Sequence, residues 1–324
     1  MKKILCVFMT LVLLVGISGC GCDKKEGEIT VVLDWTPNTN HIGLYTALEK
    51  GFYEEVGLKV NIIQPPEGGA EMLVAASQAQ FGISFQDSMA PALATPEPID
   101  VVAVAAVSQH NLSGIISRGD KGIDSFKNME GKSYATWGSP IEQAIIGYCM
   151  EKEGGSIDKL NMIDSTVTDV MTALETDMID TVWVYEYWDV VKAKKDGYDY
   201  NYVDFKSVDS VMDYYTPVII SSDKYLNENS EEAKLFLQAT KKGYEYAAEH
   251  PEEAAEILCK AAPELDSEMV KESAKFMAEY FTDENGQWGT IDPDRWNDFY
   301  AWLYKKGLVE KDLTGKGFRT DYLN

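Results

Sequence analysis

Arginine is almost absent from this 324-residue chain, which contains only Arg118, Arg295 and Arg319. A carboxylate, sulfonate or phosphate ligand is usually met by an arginine fork, so the shortage argues against a strongly anionic ligand. Lysine does not close the gap: 53 acidic residues face 29 basic ones, for a formal charge of −24. Nucleic acid needs clustered cations and is therefore not an expected partner; the acidic excess reads as a solvated surface. The three histidines are scattered at 41, 110 and 250, and neither they nor the five cysteines have metal-site spacing. No structural metal and no cofactor are expected. Cys149 and Cys259 fall on the apolar faces of two expected helices and read as buried thiols. Repeats, coiled coils and low-complexity segments are missing, and the apolar run Ile4 to Ile17 is too short to span a bilayer.

That run has another reading. Lys2 and Lys3 precede it, and Ser18, Gly19 and Cys20 follow it. Small residues directly before a cysteine, after a basic and then an apolar segment, mark a secretory leader over residues 1–19 with lipidation at Cys20. Residues 20–28, including Cys22, then form a tether, and the protein is expected on the outer face of the cytoplasmic membrane.

Beyond the tether, strand and helix patterns alternate. Ile29 to Leu33 reads as a strand, residues 41–50 as a helix closed by Gly51, and Leu58, Val60 and Ile62 as a second strand. Such a βαβ unit requires a parallel sheet. Gly68 and Gly69 open a further helix, FGIS is a short strand, and Val101 to Val107 reads as a strand buried on both faces. The pattern restarts near residue 116 with SYATWG and a helix opened by Ser139, Pro140 and Glu142, a capping box. TVWVYEYW reads as a strand running into a loop, and VIIS at 218–221 as a strand of the first lobe. The last hundred residues are helical, with Asp266 and Asp292 as N-caps and Trp296, Phe299, Tyr300 and Leu303 on one core-facing stripe.

The expected architecture is α/β with two lobes: residues 29–115 plus 217–324 form the first and 116–216 the second. Two crossings, near 110–117 and 212–218, leave a cleft between them. Loops at the strand ends should line it. In the first lobe these carry Trp35 and Asn38, then Glu67 with its neighbouring glycines, then Gln86 and Asp87. In the second they carry Trp137 and Ser139, then Tyr185, Glu186, Tyr187, Trp188 and Asp189, with Tyr214 and Tyr215 at the return crossing. Aromatics and carboxylates without cations suit a flat, electron-poor heteroaromatic ring bearing amino groups. Trp183 reads as core and Asp34 as a residue that holds its loop.

The segments LDWTPNTNHIGLYTALEKGFYEEVGLKV, WGSPIEQA, DTVWVYEYWD and DYYTPVIISSDKYL carry a resemblance. From about residue 29 onward the chain resembles the thiamine-pyrimidine-precursor binding proteins of bacterial ABC importers, relatives of sulfonate-binding proteins and of the fungal pyrimidine synthase. The resemblance implies a type II periplasmic-binding fold, a monomer that delivers an aminopyrimidine to permease subunits, and no catalysis. It also implies that Trp35 stacks on the ring, that Asn38 hydrogen-bonds to it, and that Trp188 and Asp189 lie in the pocket with Asp189 accepting ring N–H groups. Glu186 and Tyr187 depart from the pattern and bear on which ligand is taken, with riboflavin and a sulfonate or nitrate as the alternatives. The synthase branch consumes a histidine of its own and carries a cysteine cluster; SFQDSM lacks the first and the chain lacks the second.

Overall fold

The computed structural model describes residues 28–66 and 69–323. Strand β1 (Glu28–Val32) leads into α1 (Ile42–Glu49), the one-turn α2 (Phe52–Glu55) and β2 (Lys59–Ile63), parallel to β1. Then come α3 (Gly69–Ala75), β3 (Phe81–Ser84), α4 (Gln86–Ala94) and β4 (Val102–Ala106), every residue of β4 being buried.

The chain next crosses to a second sheet. It builds β5 (Ser113–Arg118), β6 (Ser133–Thr136), α5 (Pro140–Lys152), β7 (Asn161–Asp164) and α6 (Val170–Glu175). β8 (Thr181–Tyr185), α7 (Val191–Asp196) and β9 (Tyr200–Asp204) complete this part. It returns through β10 (Val218–Ser221) and ends in five helices: α8 (Asp223–Glu228), α9 (Ser230–Glu249), α10 (Pro251–Ala261), α11 (Ser267–Ala278) and α12 (Pro293–Lys305).

The sheet orders are β2-β1-β3-β10-β4 and β7-β6-β8-β5-β9. Each is parallel except for one strand: β10 runs antiparallel to β3 and β4, and β5 antiparallel to β8 and β9. Both exceptions are the first strand after a crossing, so each crossing inserts its strand the other way round. β5 lies wholly in the second sheet, so residues 113–115, assigned from the sequence to the first lobe, belong to the second.

The helical stripes are buried as their spacing requires. On α9, Phe236, Leu237, Thr240 and Tyr244 turn inward, and α1 packs so closely there that a Cβ on Gly43 would lie 2.1 Å from the Tyr244 ring. On α12, capped by Asp292, Trp296, Phe299, Tyr300 and Leu303 are fully buried, each contributing about 2–3 kcal/mol of transfer free energy. Cys149 is a buried free thiol and Cys259 a half-buried one. Among the described residues no helix is long and apolar enough to cross a membrane. Cys20 and its leader lie outside the described residues.

Candidate functional site

Between the two sheets lies a cavity of about 690 Å³. Its walls are the loops after β1, β3, β6, β7 and β8, where open α/β sheets place ligands.

The loop after β1 is shaped by its own side chains. Asn38 caps a single 3₁₀ turn, its Oδ1 accepting from the Asn40 N–H at 2.9 Å while its Nδ2 donates to the Thr36 carbonyl at 3.2 Å. The Asn38 N–H donates to Nδ1 of fully buried His41 at 3.2 Å, which leaves the ring proton on Nε2 to donate to Asp34 at 2.5 Å. Asn38 therefore lines the cleft with its side-chain groups already committed to the loop. Trp35 stands free above it, 58% exposed, and Asp34 both holds the loop and lines the cavity.

Across the cleft, Trp137 is 49% exposed and meets Trp183 edge-on at 5.4 Å. Ser139 lines the cavity at the start of α5, its hydroxyl accepting from the Glu142 N–H at 3.5 Å. The Glu142 carboxylate is buried and accepts from Tyr134 and Thr136 hydroxyls at 2.7 and 2.8 Å. Trp183 and Tyr185 both line the cavity; residues two apart on a strand share a face, so placing one of them in the core misapplied the alternation. Tyr185 stacks on Phe85 with centroids 6.1 Å apart.

The strand does not run out into a plain loop. Residues Glu186–Val190 form a wide turn of π-helical form, with no side-chain cap. It is fixed by contact with the other lobe instead: Tyr187 is buried in the first lobe's core, its carbonyl accepts from the Ser273 hydroxyl of α11, and its own hydroxyl accepts from Asn40 Nδ2 at 3.4 Å. The turn leaves Trp188 and Asp189 on the cleft wall.

Among the described residues, Asp34, Asp87 and Asp189 are the only charged ones in the lining; no lysine, arginine or histidine is among them. Burial pushes the Asp87 and Asp189 carboxyls up to about 6. With aromatic faces around them, these acceptors can hold a flat ring by its N–H edge.

Residues 38–254 match the profile of the family described as NMT1/THI5 like. The chain belongs to that family. A relative is the formylaminopyrimidine-binding protein of Halalkalibacterium halodurans, 28% identical over 303 residues, with 91% of this chain and 90% of that one aligned. The 4-amino-5-hydroxymethyl-2-methylpyrimidine phosphate synthase of Legionella pneumophila is 26% identical over 249 residues, 74% of this chain and 75% of its own. Among solved structures, the periplasmic aliphatic sulphonate binding protein of Escherichia coli superposes with a TM-score of 0.69 at 13% identity, covering 93% of this chain and 94% of that one. The fold is thus the two-lobed α/β fold of periplasmic binding proteins.

Against this family fold, several residues named from the sequence stand elsewhere. Gln86 is fully buried and clamps the return crossing, accepting from the Tyr215 N–H at 2.9 Å and donating to the Trp296 carbonyl at 2.8 Å. Tyr215 is buried under the Arg295 guanidinium, 3.8 Å from its ring centroid, and accepts from the Asp292 N–H. Glu186 is half-buried, and burial raises its carboxyl. None of the three lines the cavity: Gln86 and Tyr215 are taken up by the junction with α12, and Glu186, the first residue of the turn after β8, need not share that strand's cleft face. Glu67 lies outside the described residues. Sequence reading passed over Phe85, Thr166 and Thr168 as cavity residues; their place after β3 and β7 was the available signal.

Proposed function

We propose that the protein is the solute-binding component of an ABC importer and that its ligand is an aminopyrimidine precursor of thiamine. The observation that carries this reading is a cleft walled by Trp35, Trp137, Trp183, Tyr185 and Trp188 whose only charges, among the described residues, are carboxylates. A sulfonate or nitrate would enter such a cleft without a cation to meet it. A ring with amino groups stacks on the indoles and donates to Asp189. The likeness to the formylaminopyrimidine-binding protein of Halalkalibacterium points the same way.

The ligand stabilises a closed form by touching both lobes, and closure presents a surface to the permease. The protein acts as a monomer held to the membrane by lipid at Cys20, and it catalyses nothing. The synthase relatives weigh against that last statement; the cleft lining, which among the described residues holds no histidine, cysteine or lysine, weighs for it. Riboflavin has one observation in its favour, a cavity larger than a single pyrimidine ring requires.

Calorimetric titration of protein expressed from Glu28 onward, unfolded and refolded to strip any carried ligand, tests the reading. Hydroxymethyl- and formylaminomethyl-aminopyrimidines, riboflavin and taurine are run side by side. Saturable one-to-one binding of a pyrimidine alone supports the proposal. Binding of riboflavin or taurine alone retains the transport role and rejects the ligand.

A further inference from the structure

The charge balance of the cleft goes further than the shape of its ligand. Its three carboxylates come from both lobes: Asp34 after β1, Asp87 at the start of α4, and Asp189 in the turn after β8. The pairing of Asp34 with His41 supplies no countercharge, because His41 accepts at Nδ1 and is neutral. Asp87 and Asp189 receive backbone N–H groups, and among the described residues no side-chain donor bonds either. Lys192, the cation nearest Asp189 in effect, is already paired with Asp196 at 2.8 Å. The acids also share neighbours: Asp87 and Asp34 both raise the Tyr185 hydroxyl, and Asp34 and Asp189 both raise that of Tyr187.

Resting on the aminopyrimidine reading above, we infer that the cleft selects a cationic ligand: an aminopyrimidine whose side arm ends in a protonated amine, in preference to its neutral hydroxyl or N-acyl counterparts. Like charges on two lobes oppose closure of an empty, aromatic-walled cleft, where the dielectric is low. A cation between them turns that repulsion into attraction, and the faces of Trp35, Trp137 and Trp188 stabilise it further. Closure is thereby coupled to the charge of the ligand as well as to its ring. A neutral ligand of the same size leaves the three carboxylates of the lining without a countercharge.

The experiment is a calorimetric series on ligand-free protein at pH 7.5. One aminopyrimidine ring is offered with three 5-substituents, aminomethyl, hydroxymethyl and formylaminomethyl, and benzylammonium is run as a cation without the aminopyrimidine edge. The aminomethyl compound is expected to bind about tenfold or more tightly than the hydroxymethyl one, the difference made by a charge-assisted contact. That ratio should fall toward one in Asp87→Asn and Asp189→Asn, each checked by thermal melting. A neutral pyrimidine that binds as tightly as the aminomethyl compound, or more tightly, overturns the inference and leaves the pyrimidine reading standing. Benzylammonium binding that needs Asp189, with every pyrimidine failing, leaves the charge inference standing and removes the pyrimidine reading. Failure of all four removes both.

Discussion

Two loops bring most of the chemistry to the cleft, and they are held in opposite ways. The loop at Asp34 to His41 is fixed from within: Asn38 caps it, and His41 ties Asn38 to Asp34. The turn at Glu186–Val190 has no side-chain cap and is fixed chiefly from the far lobe, by Ser273 on its Tyr187 carbonyl and by burial of the Tyr187 ring. Each offers the cleft one indole and one carboxylate, Trp35 with Asp34 and Trp188 with Asp189. The first is a rigid floor whatever the other lobe does. The second is in place only while the lobes touch, which makes it the part that can report closure.

The largest effect expected from breaking this contrast comes from the floor. His41→Ala removes the donor to Asp34 and the acceptor for the Asn38 N–H, and it leaves a cavity at a fully buried site. A loss of about 3–4 kcal/mol in urea-unfolding stability is expected. A loss below about 1 kcal/mol would mean that the loop is held by something other than His41.

Next comes the turn's carboxylate. Asp189→Ala leaves ring N–H groups without a buried acceptor and should weaken pyrimidine binding by about 1.5–3 kcal/mol, roughly ten- to a hundredfold in Kd. Affinity equal to wild type would place the ring elsewhere in the cavity. Trp35→Ala, measured beside it, shows whether the rigid side of the cleft contributes as much.

The same contrast decides what was legible in the sequence. Asp34 to His41 carries capping chemistry within a few residues, so its being a shaped strand-to-helix loop could be read directly, although the assignment of Asn38 to the ligand overlooked that a cap has few groups left over. Glu186 to Val190 takes its form from Ser273 and Asn40, far away in sequence, so no local pattern distinguished a π-helical turn from a loop or showed that Glu186 would lie off the cavity lining. Gln86 and Tyr215 were misplaced for a related reason: they bond to each other and to α12, a junction visible only once the crossings are folded. The alternation of strands and helices, by contrast, depends on period and caps, and the seven strands expected from those signals are present, while β5, β7 and β9 were not recognised.

A smaller effect separates the two loops at their shared contact. The Ser273 hydroxyl gives its proton to the Tyr187 carbonyl, so it accepts from Thr39 of the first loop at 2.6 Å. Ser273→Ala removes both bonds and should lower stability by about 1.5 kcal/mol. Because the first loop keeps its Asn38–His41–Asp34 bonds, the turn is the part that loosens, and the ligand dissociation rate in stopped-flow tryptophan fluorescence should rise, whereas an unchanged rate would show that closure does not use the turn.

The smallest expected effect concerns charge alone, and its sign distinguishes the loops. The Asp189 carboxyl is raised by burial from 3.8 to about 6, so the folded protein holds its proton more tightly than the unfolded chain does. Stability from this group is therefore greatest below pH 4, falls as pH rises from about 4 to 6, and is flat above. Asparagine has the same shape and does not titrate. Allowing for the carboxylate's open face toward the cleft, Asp189→Asn should make the ligand-free protein more stable by about 1 kcal/mol at pH 7, an advantage that disappears by pH 4. Asp34→Asn should bring no such gain, because Asp34 already has a fixed donor in His41. Urea unfolding of both variants at the two pH values checks this. A gain at Asp189 but not at Asp34 would mean that the turn, unlike the floor, keeps a carboxylate without a side-chain donor until a ligand with donors arrives.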